Sequence, residues 1–332
     1  MGAKNCPACG CADVRAAYHE SQGGLEVLRV GELPDPEPGP GDALIQVKAT
    51  SMDRVDVYWR EGSHGMKLRW PQHVGGRDIS GVVKAVGSQV RTVAVGDRVV
   101  ASGERTHATL ALAPADLTFP LPDGISFEAG GATPTAGRSA HQALIEKAQI
   151  QSGETVLVMA AGSGVGSFGI QIARAMGCRV IATAGTAEKR AQAIEMGAEL
   201  AIDHYTDDIV DAVREATSGR GVEVVLDHVG TPVFAAAVRS LAPEGRFVTC
   251  GVTAGHIGEL HLGQLFVKGI TLMGVGRPDN QRIAATMRGL LAMIAQGQVT
   301  PEIAAVFHLE EIAEAHRLME SSEFFGKIVL AP

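Results

Sequence analysis

The sequence predicts an α/β protein: a β-rich part followed by a doubly wound parallel sheet. Three observations carry this. Residues 14–117 alternate short strands with turns, without intervening helical periodicity. From Glu154 onward, strand and helix units of the length that builds a parallel sheet repeat. At their head stands ETVLVMAAGSGVGSFGIQIAR, Glu154–Arg174, which reads as a buried strand, a glycine-rich turn and the start of a helix.

Composition bounds the rest. A chain of 332 residues can hold two domains with a sizeable core in each. Its 41 glycines fit many βα turns and close backbone approach to a ligand. The net charge of −8 argues against a nucleic-acid surface and a basic membrane-binding face. No apolar run reaches about 18 residues, and no basic-then-apolar leader opens the chain. The expectation is a cytoplasmic protein without nucleic-acid or membrane partners. Cys6, Cys9 and Cys11 crowd the start in CPACGC, half of a zinc knuckle with only His19 nearby as a fourth ligand. The reading adopted is a disordered extension over residues 1–13. Cys178 and Cys250 read as small buried hydrophobes.

Taken in order, VRAAYHES is a strand, and GELPDPEPGPGDA is a Pro/Gly/Asp linker without regular structure. ALIQVKATSM alternates as a strand, HVGGRDISGVVKAVGSQV bends at paired glycines into another, and RTVAVGDRVVAS turns into the next. SFEAGGATPTAGRSAHQALIEKAQI opens on a serine cap and carries helical spacing at Ala140, Ala143, Leu144 and Ala148. Beyond the glycine turn, CRVIATA, LAIDHY, VEVVLDHVG, GRFVTCGV and GITLMGVGR are strands. AEKRAQAIEMGA, TDDIVDAVREATSG and TPVFAAAVRSLAP are the helices between the first four of them. Two amphipathic helices, RIAATMRGLLAMIAQG and LEEIAEAHRLMESS, precede a last strand, GKIVLAP. No helix follows that strand, so it is free to return to the first domain.

The turn is the candidate cofactor site. A helix N-terminus offers free N–H groups and the positive end of a dipole to a pyrophosphate. Ala161, Gly162, Ser163, Gly164, Val165 and Gly166 would form the cradle. An NAD-specific site carries an acid about 20 residues further on, at the end of the second strand. Here that strand ends in Ala184-Gly185, followed by Thr186, Lys189 and Arg190, which could hydrogen-bond and neutralise a 2′-phosphate. The expected cofactor is therefore NADP(H). Val229, Gly230, Gly251 and Val252 lie at later strand ends, which line the ligand crevice of such sheets.

With VKATSMDRVDVYWREG, GGRDISGVVKAVG, VGDRV, TPTAGRSAHQAL, AAGSGVGSFGIQIA, LDHVG and FGKIVL in this order, the chain resembles the medium-chain dehydrogenase/reductase superfamily, in its zinc-independent quinone oxidoreductase-like branch. The resemblance implies a GroES-like catalytic domain, placed at 14–137 and 276–332, and an inserted Rossmann domain at 138–275. It also implies a homodimer or homotetramer, and a cofactor contact at Lys327 in FGKIVL. In zinc-dependent relatives, metal ligands occupy the positions of Asp53, of Arg77 and of about Ala132. A guanidinium offers no lone pair and repels a cation, so no catalytic zinc is expected, and the structural-zinc cysteines are missing as well.

Without a Lewis acid, a quinone or enone is easier to reduce than a simple aldehyde, because the incoming charge delocalises into an enolate. The expected activity is NADPH-dependent reduction of a quinone or α,β-unsaturated carbonyl. Enoyl-thioester reduction, or cofactor binding without turnover as a sensor or structural protein, are the alternatives. Four residues are the catalytic candidates: Asp53, where many zinc-free relatives carry asparagine; Tyr58, which could stack on a flat substrate; His64, a potential general acid; and Ser139, which, like Thr135, lies in the segment that relatives bring to the nicotinamide.

Overall fold

The computed structural model describes residues 14–69 and 71–332. The CPACGC segment and its possible metal site lie outside the described residues. The chain divides into two compact units. The first takes the described residues up to Leu121, Val306–Ser321 and Val329–Pro332; the second takes Pro122–Ala305 and Ser322–Ile328.

The first unit contains eight early strands: β1 (Val14–His19), β2 (Arg29–Leu33), β3 (Asp42–Met52), β4 (His73–Val74), β5 (Asp78–Val86), β6 (Arg98–Ser102), β7 (Leu110–Pro114) and β8 (Thr118–Pro120). β1 pairs antiparallel with β2 and β4. β3, β5, β6 and β8 pair antiparallel in that order, and β7 adds to the other side of β3. Alternation explains the packing. Ala43, Ile45 and Val47 point to one face of β3 and meet Ile79, Val83, Val99 and Ala101 in a single apolar cluster.

Two readings of this unit need correction. The Pro/Gly/Asp linker begins later than expected, because Gly31, Glu32 and Leu33 pair with Ala16, Arg15 and Val14 as the end of β2. A helix also interrupts the strands: α1 (Arg54–Glu61) starts at Asp53 and stops at Gly62, whose φ of 77° is left-handed. The Asp56 carboxylate accepts from the Asp53 N–H at 2.9 Å, satisfying an amide that the helix start would orphan.

The second unit is built on β9 (Thr155–Val158), β10 (Arg179–Ala184), β11 (Leu200–Asp203), β12 (Val222–Asp227), β13 (Leu241–Thr249) and β14 (Thr271–Gly274). They form one parallel sheet in the order β11-β10-β9-β12-β13-β14, whose sequence reverses direction at β9. β13 begins at Leu241, inside the residues expected to end the preceding helix. After α2 (Phe127–Gly131), α3 (Pro134–His141) runs on into a π-helical turn, Gln142–Lys147. The remaining helices of this unit are α4 (Gly164–Ala175), α5 (Ala187–Met196), α6 (Ile209–Ala216), α7 (Thr231–Arg239), α8 (Leu262–Lys268) and α9 (Asn280–Ala295).

The unit boundaries differ from those read in the sequence. α3 and α9 were expected to flank or leave the second domain, yet both lie within the second unit. A Cβ placed on Gly137 of α3 would stand 2.7 Å from Leu290 of α9 and 3.0 Å from Phe168 of α4. That apolar contact draws α9 into this core. A strand not expected, β15 (Ile303–His308), carries the chain into the first unit, where α10 (Ile312–Ser321) lies. β16 (Lys327–Ala331) begins in the second unit and ends in the first.

Candidate functional site

The glycine turn has the geometry that its sequence implies. Ser163 caps α4: its Oγ accepts from the Gly166 N–H at 2.8 Å and donates to the Ala160 carbonyl at 2.9 Å. Ala160 itself is held at φ 50°, and its N–H donates to Thr183 Oγ1 at 3.0 Å. A Cβ on Gly166 would overlap the Ala160 carbonyl and stand 2.8 Å from Ala161 Cα. Both are backbone, so neither can yield. Gly166 therefore sets how closely the helix start approaches the strand end, leaving the first amides of α4 to a ligand.

A segment from the far end of the chain borders this turn. The Gly326 N–H donates to the Gly162 carbonyl at 2.9 Å. The buried Lys327 side chain passes Gly164, where an added Cβ would stand 2.6 Å from its Cδ. Sequence reading named Lys327 but not Gly326 or Phe324, because their role depends on contact across most of the chain.

Thr186, Lys189 and Arg190 come together at the end of β10, each already engaged. Thr186 Oγ1 caps α5, accepting from the Lys189 N–H at 3.2 Å. Lys189 Nζ donates to the Ser322 carbonyl at 2.5 Å. Arg190 donates to Asp203 Oδ2 at 2.6 Å in an ion pair whose two side chains are only 26% and 15% exposed. Gly185 is covered by the ring of Tyr205, which is itself 80% exposed. Asp203 and Tyr205 are functional candidates that the sequence reading missed. Asp203 ends β11 and Tyr205 lies in the turn just after it, and only the β10–β11 register, which sets Asp203 beside Ala184, reveals them.

Val229, Gly230, Gly251 and Val252 also meet. The Ala254 N–H donates to the Val229 carbonyl at 2.8 Å, and a Cβ on Gly230 would stand 3.4 Å from Val252 Cα. Gly230 has φ 91°, and such a Cβ would also overlap the Gly255 carbonyl. Asp227 shapes this crevice edge. Its carboxylate accepts from the Val229 N–H at 3.0 Å and the Gly230 N–H at 3.2 Å. Burial pushes its carboxyl up to about 6, against the stabilising pull of those N–H bonds. Of the two cysteines among the described residues, Cys178 is buried and Cys250 partly so; burial raises Cys178 to about 11 and Cys250 to about 12.

Of the catalytic candidates, Asp53, Tyr58 and His64 lie in the first unit and Ser139 in the second. Tyr58 and His64 stack, ring centroids 3.8 Å apart and 23° between planes. The Tyr58 hydroxyl is buried and has no hydrogen-bond partner among the described residues. Burial raises its pKa, with the nearby Arg54 pulling the other way, so the phenol keeps its proton at neutral pH. Asp53 serves the start of α1. Ser139 Oγ donates to the Thr135 carbonyl at 2.7 Å, a bond along its own helix.

Arg77 presents an exposed cation, and the buried Asp78 beside it accepts from Ser51 Oγ at 2.7 Å. Among the described residues no group of three or more His, Cys, Asp or Glu side chains is arranged to hold a metal ion, nor is any helix long and apolar enough to cross a membrane.

A parallel sheet opening on a capped glycine turn has the geometry of a dinucleotide-binding fold. Two families match: residues 39–133 fit the Alcohol dehydrogenase GroES-like domain, and residues 164–296 fit Zinc-binding dehydrogenase. The chain belongs to the medium-chain dehydrogenase/reductase superfamily. It is 32% identical to a quinone oxidoreductase of Sus scrofa, over 93% of this chain and 94% of that one. It is also 32% identical to a quinone oxidoreductase of Pseudomonas aeruginosa, over 96% and 98%. Among solved structures, Escherichia coli quinone oxidoreductase complexed with NADPH superposes with a TM-score of 0.84 at 29% identity, covering 96% of this chain and all of that one (100%). A structure described as an NAD-dependent alcohol dehydrogenase superposes at 0.88 with 34% identity, over 96% and 99%.

Proposed function

We propose that this chain is an NADPH-dependent reductase of quinones and α,β-unsaturated carbonyls that works without a catalytic metal. The observation that carries the reading is Tyr58: its buried hydroxyl, held protonated at neutral pH and without a hydrogen-bond partner among the described residues, can meet an acceptor oxygen. A quinone or enone has such an oxygen, and a flat face to lie against the Tyr58–His64 pair. The relatives named quinone oxidoreductase, and the NADPH bound by the Escherichia coli protein, support it.

When bound, the reduced nicotinamide supplies a hydride. The chain's residues do the rest. The α4 amides and dipole would hold the pyrophosphate, and Lys189 and Arg190 would turn to the 2′-phosphate. Tyr58 would donate a hydrogen bond from its hydroxyl, keeping its own proton, to the substrate oxygen as charge develops there, with solvent supplying the proton that completes the reduced product. The test follows loss of reduced-nicotinamide absorbance with NADPH or NADH and a quinone, an enone, a crotonyl thioester or a simple aldehyde, with and without chelator. Quinone or enone turnover with NADPH, unchanged by chelator, is the expected result, and Tyr58→Phe is expected to lower kcat by about tenfold to a hundredfold. Chelator-sensitive aldehyde reduction would overturn the reading, and preferential thioester turnover would assign the chain to enoyl-thioester reduction.

The protein is further proposed to be a homodimer joined along β14. Among the described residues this edge strand pairs only with β13, and Leu262, Phe266 and Val267 of α8 stand 70%, 86% and 79% exposed beside it. An open strand edge flanked by apolar side chains favours pairing with a second copy. Phe266→Glu is expected to halve the mass measured by light scattering on a sizing column; an unaltered mass would rule out this face.

A further inference from the structure

The solved neighbours carry both dinucleotides in their descriptions, so what tunes the choice in this chain is an open question. The cations at the end of β10 are not waiting for a phosphate. Lys189 bonds a neutral carbonyl, which a dianionic phosphate displaces readily. Arg190 is different, since its partner is a full negative charge.

That charge belongs to Asp203, one strand over from the position where an NAD-specific site keeps its acid. Ala184 at the end of β10 pairs directly with Asp203 at the end of β11. The carboxylate has two jobs. Oδ2 accepts from Arg190, while Oδ1 accepts from the Tyr205 N–H at 2.9 Å and so fixes the turn that lays the Tyr205 ring over Gly185. Asp203 thus stands within reach of the same guanidinium that a 2′-phosphate must recruit.

We propose that Asp203 is a specificity-determining residue: it competes with the cofactor's 2′-phosphate for Arg190 and so moderates the preference for NADP(H) over NAD(H). NADPH must draw Arg190 away from Asp203 and leave a carboxylate near its own phosphate; NADH meets neither cost. This rests on the reading that Lys189 and Arg190 receive the 2′-phosphate.

Asp203→Asn separates the two jobs. The amide oxygen still accepts from Tyr205, but the charge that holds Arg190 is gone. Dissociation constants for NADPH, NADH and 2′,5′-ADP, measured by calorimetry, are the readout. Asp203→Asn is expected to tighten NADPH and 2′,5′-ADP by about two- to fivefold, the range of a partly exposed ion pair, and to leave NADH unchanged. Adding Arg190→Gln to Asp203→Asn should erase the gain. Equal weakening of all three ligands would make Asp203 a support of the Tyr205 turn only, and no change in NADPH or 2′,5′-ADP would remove the competition; either overturns the proposal. A wild-type protein that binds NADH more tightly than NADPH overturns the cofactor reading alone. The NADPH-to-NADH ratio in Asp203→Asn still decides the competition.

Discussion

Gly166→Ala is expected to remove dinucleotide binding while leaving a folded protein. The added methyl would overlap the Ala160 carbonyl and lie 2.8 Å from Ala161 Cα. Backbone must move, at a cost on the order of 1–3 kcal/mol. The movement falls on the cap, since Ser163 Oγ bonds both the Gly166 N–H and the Ala160 carbonyl. Amides rotated away from a pyrophosphate forfeit charge-assisted bonds, and losing two of them is worth about tenfold or more in affinity each. Gly162→Ala, also in the cradle, is expected to cost less. There the nearest atoms are Lys189 Cδ at 3.1 Å, on a flexible side chain, and the Phe324 carbonyl at 3.4 Å. Titrating NADPH by fluorescence, with a thermal melt of each variant, checks the pair. Equal affinities for Gly166→Ala and wild type would refute the close-approach argument.

Acidification is expected to unfold the protein through its histidines. Burial drives His316 down to about 2, reinforced by His107, Arg60 and His19 facing it, and lowers His73 and His228 to about 4. Such a histidine takes up its proton only on unfolding. Its contribution to stability is complete above the ordinary 6.5 and is lost as pH falls towards the folded value. Asp227 acts in reverse. Its carboxyl, raised from 3.8 to about 6, favours the folded state increasingly as pH falls through that range. These histidines outweigh the one raised aspartate, so unfolding takes up protons near pH 5 and stability falls with pH there, on the order of 1 kcal/mol or more per pH unit. Urea titrations at pH 5 and 7 measure it. His316→Leu, which removes one titrating group, is expected to reduce that slope; an unchanged slope would mean that His316 protonates as readily folded as unfolded.

Much of the second unit could be read from local pattern. The turn, the serine at its edge and the strand ending in Ala184 all express periodicity and capping within about twenty residues. What escaped depends on register or on distant pairing. Asp203 follows a short apolar run and looks like a loop acid until β11 is laid beside β10. The Gly31–Leu33 end of β2 hides under linker composition, because β1 supplies its hydrogen bonds. α1 escaped because its buried positions include Asp56 and Arg60, so no apolar stripe marks it. In the first unit, Tyr58 and His64 could be named from sequence, but their stacking follows from a loop in which His64 sits at φ 55°.

The bond from Gly326 to Gly162 bears on how the chain is made. A ribosome delivers the glycine turn long before it delivers the residues that brace it. Until Ser322 and Gly326 emerge, the Gly162 carbonyl lacks its partner and Lys189 lacks the Ser322 carbonyl. A chain stalled or clipped before Gly326 would keep every residue of the glycine turn yet present it unbraced. The nucleotide turn is thus braced only by residues made long after it, a closure across a large sequence separation.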